Sequence, residues 1–315
     1  MVNPVHFDIQ SLRVFLYAAQ AGSLTKAAER SHMTLSALSK RISELEKTIG
    51  CTLFVRLPRG LALTPAGQNL ADHAQNLLNS VNRMALDMND YALGVRGHVR
   101  IWANTSSIIQ FLPVDLAVLM EQHPGIRIIL EEKISEDAIN AVAHGIADIG
   151  IFADNTPSLS LEKRLYRHDQ LVVLVPGSHP LAGRDIVDFA DTLDYDFVGL
   201  TEGSSLLVRM HSAAAVLERA LKLRVQVASF DAICRMIEAG LGIGVLPRGA
   251  VRQEILGAGL RAIPLSDGWA SRTLWLGVRS AKELPAEALH VLNFLASRHA
   301  TVQPEPQIEE QDAPE

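Results

Sequence analysis

The sequence predicts a multidomain α/β chain: a small helical head carrying a hairpin, one long helix, and a body in which strands and helices alternate. Three observations predict it. Basic residues gather near the N-terminus, an apolar residue recurs at three- and four-residue spacing from Leu70 to Tyr91, and short apolar runs alternate with helical patterns across residues 97–300. The 315 residues are 48% hydrophobic and 20% charged. That is enough apolar material for about two packed domains.

A net charge of −6 by itself argues against a nucleic-acid partner, but its distribution reverses that. Residues 1–66 hold eight basic residues (Arg13, Lys26, Arg30, Lys40, Arg41, Lys47, Arg56 and Arg59) against four acidic ones, a net of +4, so the remainder carries −10. A basic head on an acidic body is the asymmetry of a DNA-binding module, although a chance local excess would look the same. Cys51 and Cys234 are too few for a disulfide framework and favour a reducing, intracellular setting. The opening MVNPVHFDIQ lacks the basic and apolar regions of a secretory signal. No window approaches the ~18 uninterrupted apolar residues of a membrane span. The expected location is the cytoplasm, with no membrane partner.

Residues 8–66 read as short helices followed by a β-turn. Leu12, Phe15, Leu16 and Ala19 recur at helical spacing, and Gly22 ends that first helix. Ser23 caps a second helix, Leu24–Arg30, whose Ala27-Ala28 pair lets a neighbour approach closely. After the turn at His32-Met33, Thr34 caps a third helix running to about Ile49, with Leu38, Ile42 and Leu45 on its buried face and Gly50 as its stop. Two helices joined by a tight turn form the helix-turn-helix pattern, in which the start of the later helix enters the major groove. The residues placed to reach DNA are Thr34, Leu35, Ser36, Ser39, Lys40, Arg41 and Ser43. Serine bonds bases or phosphates, Lys40 suits guanine or phosphate, and Leu35 can touch a thymine methyl. By spacing alone, a plain helical bundle with a polar surface fits equally well. Two apolar runs then flank Pro58-Arg59-Gly60, which predicts a hairpin with Arg59 at its tip and Arg56 on its first strand, the wing of a winged helix-turn-helix. Thr64 followed by Pro65 starts the next helix.

Leu12–Gly67 resembles the DNA-binding domain of the LysR-type transcriptional regulators. The matching elements are Phe15, Gly22 through Arg30, Ser36 through Ile42, Leu45-Glu46, Gly50, Leu53-Phe54, Arg56, and Leu63 through Gly67. The family commonly carries glutamine just after the residue capping the recognition helix. Here Leu35 stands in that place and cannot hydrogen-bond a base edge, so readout there shifts to apolar contact or DNA shape.

Residues 67–94 are expected to form one helix of about 27 residues and roughly 40 Å. Leu70, Ala74, Leu77, Val81, Met84, Met88 and Tyr91 make an unbroken heptad seam along it. A seam of this kind fits pairing with a second copy, which presents two recognition helices to a pseudo-palindromic site; packing on the chain's own body is the alternative. Gly94 and Gly97 mark a flexible exit.

In the body, strands are expected at Val99–Ala103, Ile126–Glu131, Ala147–Phe152, Leu171–Pro176, Asp196–Leu200, Arg224–Val227, Ile243–Leu246 and Thr273–Val278. Helices are expected from Ile108 to about Gln122 and, capped by Ser135, to His144. This alternation predicts a largely parallel sheet, with ligands at the carboxyl ends of its strands. Asn104, Thr105 and Ser106 follow one such strand, and Thr201, Gly203, Ser204 and Ser205 another. These clusters hold more hydroxyls than capping needs, and helix starts favour an anion.

Ala141–Gly150, Leu171–Leu181 and Gly240–Pro247 resemble the family's effector-binding domain, a periplasmic-binding-protein-like pair of lobes around a cleft. The resemblance implies one lobe from residues 97–170 and 268–300 and another from 171–267. It implies a cleft taking Thr105, Ser106, Ser135, Phe152, Ser204, Ser205, Phe230 and Pro247. Phe152 and Phe230 would admit an aromatic or hydrophobic body on a polar acid. Residues 301–315, with Pro304, Pro306, Pro314 and five acidic residues, should form a disordered tail.

Catalysis finds no support. Gly240–Gly244 precedes a strand rather than following one and lacks the full dinucleotide fingerprint. The eleven histidines show no metal-ligand spacing, so no cofactor or metal is expected. Cys234 lies on an apolar helix face as a buried thiol. The expectation is a non-enzymatic LysR-type regulator, at least a dimer and as a family member a homotetramer. It would bind double-stranded DNA, respond to a small-molecule effector and act on RNA polymerase. The rival is a small-molecule-binding protein whose head serves only for assembly.

Overall fold

A computed structural model describes residues 8–58, 60–92, 98–251 and 259–298. The expectations for Arg59, for Gly94 and Gly97, and for the tail 301–315 fall outside these ranges. Apart from His144–Ile146, the chain divides between Arg96 and Gly97 into two compact units. Among the described residues no helix is long and apolar enough to cross a membrane.

The first unit holds α1 (Ile9–Ala21), α2 (Leu24–Arg30), α3 (Leu35–Ile49), β1 (Phe54–Leu57), β2 (Gly60–Leu63) and α4 (Pro65–Ala92). Its punctuation follows local chemistry. The hydroxyls of Ser23 and Thr34 accept from the Lys26 and Ala37 N–H groups at 3.5 and 3.3 Å, and Thr64 Oγ1 from Gly67 N–H at 2.9 Å. Gly22 and Gly50 end α1 and α3 in the left-handed region that glycine alone enters freely, with φ of 56° and 81°. Leu12, Phe15, Leu38, Ile42, Leu45 and Leu53 form the core, and the buried Ala27-Ala28 pair brings α2 against its neighbours. Glu46 Oε1 accepts from the N–H groups of Leu53 and Phe54 at 2.7 and 3.3 Å, fixing the hairpin to α3. Gly60, at φ 119°, lies so close to the Gly22 carbonyl that a Cβ would collide with it.

The long helix divides its seam between two surroundings. Its heptad residues do not share one environment. Ala74 is buried in the head's core together with Ala71 and Leu78, whereas Leu77, Met84 and Met88 are exposed at 44%, 59% and 57%. The first turns of α4 serve the head. A straight helix also drifts by about 20° per heptad, so one stripe cannot keep one partner throughout. The side chain of Tyr91 is outside the described set.

In the second unit the strands are β3 (His98–Ala103), β4 (Arg127–Glu132), β5 (Ile149–Ala153), β6 (Glu162–Pro176), β7 (Phe197–Leu200), β8 (Leu223–Val227), β9 (Gly244–Pro247), β10 (Leu260–Pro264) and β11 (Ser271–Val278). The helices are α5 (Thr105–Gln110), α6 (Leu112–Gln122), α7 (Ser135–Ala143), α8 (Phe189–Thr192), α9 (Ser205–Val216), α10 (Phe230–Glu238) and α11 (Ala286–Ser297). The sheet is mixed, not largely parallel. β3 lies parallel between β4 and β5, but β11 runs antiparallel to β5 and β6, and β6 antiparallel to β9 and β10. A separate pair, β7 and β8, is parallel. The helix expected from Ile108 to Gln122 is broken at Phe111, where φ is −124°. Pro113 explains the break, because it has no N–H to continue α5 and its ring would clash with the carbonyl four residues earlier, while it fits the first turn of α6.

β6 is the backbone of this unit. Glu162–Gln170 pair with β11, and Leu171–Pro176 pair with β9 and β10. Two apolar cores lie on either side of that hand-over. One is built on Val99, Ile101, Leu112, Ile149, Ile151, Leu274, Leu276 and Leu292, and the other on Leu171, Val173, Phe197, Met210, Ile233, Cys234 and Ile263.

A register shift between Leu274 and Trp275 turns two consecutive β6 residues, Tyr166 and Arg167, into the core, as an extra residue in one strand does. There they meet Asp115 of α6. Its carboxylate takes the Tyr166 hydroxyl at 2.8 Å, Arg167 Nη2 at 2.6 Å and Arg298 Nε at 3.0 Å. Burial, followed by the Asp115 charge, pushes the Tyr166 phenol's pKa upward, so it stays protonated as a donor. Removing the one anion among two guanidiniums leaves buried positive charge uncompensated. Asp115→Asn is therefore expected to destabilise this unit by about 3 kcal/mol. Tryptophan fluorescence in a urea titration checks it selectively, because all three tryptophans (Trp102, Trp269 and Trp275) lie in this unit.

Candidate functional site

The start of α3 has two faces. Leu38, Ile42 and Leu45 are buried, while Thr34, Leu35, Ser36, Lys40 and Ser43 are exposed, with Leu35 at 47%. Positions 36, 40 and 43 fall on one stripe by helical spacing. Ser39 is half-buried at its edge. Arg56 is exposed on β1, beside the exposed Val55 and Leu57. Lys40 Nζ is 3.8 Å from Glu44, and both side chains are largely exposed, a contact worth little and easily given up to a phosphate.

Arg41 is placed differently from Lys40. It is half-buried and turned toward α1, donating to Asp8 Oδ2 at 3.2 Å and Ser11 Oγ at 3.3 Å. Asp8 also caps α1, accepting from Gln10 and Ser11 N–H groups at 2.8 and 3.1 Å. Arg41 therefore braces the head, and its neighbour Lys40 faces outward.

In the second unit most of the predicted hydroxyls are already engaged, which corrects the reading of the helix starts as surplus donors. Asn104 caps α5 through Ser107 N–H at 3.0 Å, and Ser204 caps α9 through Leu207 N–H at 3.3 Å. Thr105 Oγ1 donates to Glu132 at 2.6 Å. Ser106 is buried and its Oγ accepts from Arg272 Nη2 at 2.7 Å. Ser135 is the first residue of α7 rather than its cap; its buried Oγ accepts from Ala153 N–H at 3.2 Å and Asn104 Nδ2 at 3.4 Å. Thr201 is exposed and Ser205 half-buried.

The two aromatic candidates go to the interior. Phe230 is 1% exposed within the core of Phe197 and Ile233. Phe152 is equally buried, its ring pressed on Gly277, where no Cβ would fit. Pro247 is buried as the β9 partner of Leu171.

Charged residues without any local sequence signal occupy this region instead. Arg272, with a side chain 0% exposed, pairs with Asp169, which also accepts from Gln110 Nε2 at 3.3 Å. Arg209 of α9 pairs with Asp154, just after β5, and donates to the Trp269 carbonyl at 3.2 Å. Asn155 Nδ2 donates to the Ser205 carbonyl at 2.8 Å. These contacts tie segments 50 to 103 residues apart, so no local motif announces them. Among the described residues no group of three or more metal-ligating side chains occurs.

Residues 9–68 match the bacterial regulatory helix-turn-helix protein family of the lysR type, and residues 92–300 match the LysR substrate binding domain. A RuBisCO operon transcriptional regulator of Allochromatium vinosum is 27% identical over 297 residues, covering 94% of this chain and 98% of that protein. CbnR crystallised with its target DNA shares the fold at TM-score 0.63 and 17% identity, covering 93% of this chain and 99% of that one. The regulatory domain of CcmR from Synechocystis PCC6803, solved with 2-PG, aligns at TM-score 0.60 and 21% identity over 66% of this chain and 99% of that domain.

The Asp8 cap generates a pH test. Its hydrogen bond from Ser11, with help from the backbone donors and Arg41, holds the carboxyl below the ordinary aspartate range against the opposing pull of burial. A carboxylate with a lowered folded-state pKa stabilises above its unfolded value, and that contribution is lost as pH falls through the folded one. Asp8→Ala should cost about 1 kcal/mol at neutral pH as a lost cap. The gap to wild type should close below the ordinary aspartate range, as read by the midpoint of helical circular dichroism in thermal melts.

Proposed function

The chain belongs to the LysR family of transcriptional regulators, and from that we propose that it binds a pseudo-palindromic duplex operator through the start of α3 and answers to a small molecule held in its second unit. The observation that carries the DNA reading is the two-faced α3. Leu38, Ile42 and Leu45 anchor it, while Leu35, Ser36, Lys40 and Ser43 are exposed on a head of net charge +4. Serine and lysine at a helix start serve phosphates and base edges, and Arg56 on the hairpin adds a second phosphate contact. Thr34 at the cap and Ser39 at the edge complete the face. Leu35, where glutamine is common, shifts readout toward a thymine methyl or groove shape.

The exposed Leu77, Met84 and Met88 support self-association through α4, which sets two recognition helices at half-site spacing. A dimer of dimers is the assembly we favour, acting on RNA polymerase from the cytoplasm. The effector enters near Thr105, Thr201 and Ser205, between the two apolar cores, in the kind of domain that in CcmR holds 2-PG. To regulate, it must bind one arrangement better than another. We propose domain limits of 8–66 for the head, 67–94 for the connecting helix and 97–300 for the effector domain.

Two measurements test this. In a gel shift with the gene's own upstream region, affinity should fall steeply with salt. Lys40→Ala with Arg56→Ala should reduce the log–log salt slope by about two, one phosphate each, and leave the oligomer intact. Undiminished binding would remove α3 and the hairpin from the interface, whereas no salt-dependent binding by the parent chain would favour a head used only for assembly. Met84→Asp with Met88→Asp should convert the oligomer to smaller species in sedimentation, because charge on an apolar seam cannot be buried unpaired. An unchanged mass would show that the strip has another use.

A further inference from the structure

Among the described residues of the second unit, three buried side-chain atoms find no hydrogen-bond partner: Asn155 Oδ1, Arg209 Nε and Arg272 Nη1. They are linked by a short run of contacts. Asp154 pairs with Arg209 and also accepts from the N–H of Thr273 at 3.2 Å, next to Arg272 on β11. Asn155 holds the Ser205 carbonyl at the start of α9, one turn before Arg209. Arg272 in turn holds Ser106 of α5.

The orphans have a pattern. Two are N–H donors on guanidiniums and one is an amide acceptor. Arg272 is 0% and Arg209 11% exposed, so water cannot freely satisfy them. Each unmade hydrogen bond at such a depth costs about 1–3 kcal/mol, and more when the group is charged. Burial, with the nearby Arg272 charge adding to it, lowers the Arg209 pKa while Asp154 opposes, so the two arginines sense each other. Each guanidinium already has a carboxylate partner, so what is left unmet is one N–H donor on each arginine, to which a cation offers no acceptor. An oxyanion fits both donors, and guanidinium–carboxylate bonds are among the stronger ones available to a protein.

We propose that Arg272 and Arg209 are the charge-reading end of the effector site and that they take a small hydroxy acid, whose carboxylate accepts from Arg272 Nη1 and Arg209 Nε while its hydroxyl donates to Asn155 Oδ1. This rests on the reading of the second unit as an effector-binding domain. Entry of the acid requires the Asp154–Arg209 and Asn155–Ser205 contacts to part and re-form around it. Those contacts join the β5 end to α9, so occupancy and the spacing of these elements are coupled.

The experiment uses the full chain with glycolate, acetate, glycolamide and inorganic phosphate in calorimetry and thermal melts. Glycolate should bind about tenfold tighter than acetate, for one extra hydrogen bond in a buried site, and glycolamide should not bind. Asn155→Ala should bring glycolate down to the acetate level while leaving acetate unchanged. Arg272→Met should abolish binding of both acids, and Arg209→Lys provides the second test should the Arg272 variant fail to fold. Equal affinity of glycolate and glycolamide, phosphate bound tighter than glycolate, or absence of any acid binding overturns the proposal. A gel shift that responds to another small molecule while ignoring hydroxy acids overturns it too, and leaves the regulator reading standing.

Discussion

The pairing of Asp169 with Arg272 governs the architecture of the second unit. It sits across β6 and β11 at the last register pair but one before β6 leaves β11 for β9 and β10. Both side chains are almost completely buried, so neither charge can exist there alone. Satisfying them fixes the two strands side by side at the one place where the sheet changes partners. Ser106 and Gln110 of α5 are drawn in as further partners. A buried ion pair of this kind adds little net stability over well-packed apolar residues, but it tolerates few alternative arrangements.

A few residues further back along β6, Asp115 solves a related problem by another route. The bulge opposite Leu274 and Trp275 turns Tyr166 and Arg167 to one side, so that α6, β6 and Arg298 beyond α11 converge on one carboxylate. The apolar core on that side is thereby closed at its base by a polar knot. The core beyond Leu171 has a plain interior of leucine, valine, isoleucine and phenylalanine. The site proposed for the ligand lies where the polar and apolar regimes meet, and charged groups there have something left to offer.

Local chemistry was legible in the sequence wherever it was punctuated by caps and stops. Ser23, Thr34 and Thr64 hold the N–H groups expected of them, and Gly22 and Gly50 take the left-handed backbone expected at helix ends. The buried stripe of α3 followed from spacing alone. Long-range polar contacts were not legible. The first half of β6, Glu162–Gln170, is so polar that it gave no strand signal, because its apolar cover comes from elements far away in sequence. Hydroxyl clusters suggested a ligand because they exceeded the needs of capping, but buried arginines and backbone donors were their partners. Phe152 and Phe230 were plausible ligand contacts only until Gly277 and the packing around α10 claimed them.

The divided environment of α4 makes it a rigid lever with no joint. Ala71, Ala74 and Leu78 are locked into the head, and Leu77, Met84 and Met88 look outward from the same uninterrupted rod. Each residue turns a helix by about 100°, so inserting or deleting one between Leu78 and Met84 would swing the outward strip a quarter-turn or more around the axis. For the pairing proposed through α4, the angle at which two copies offer their heads is thus set by the count of residues along a single rod. Length changes there should be far less tolerable than side-chain changes.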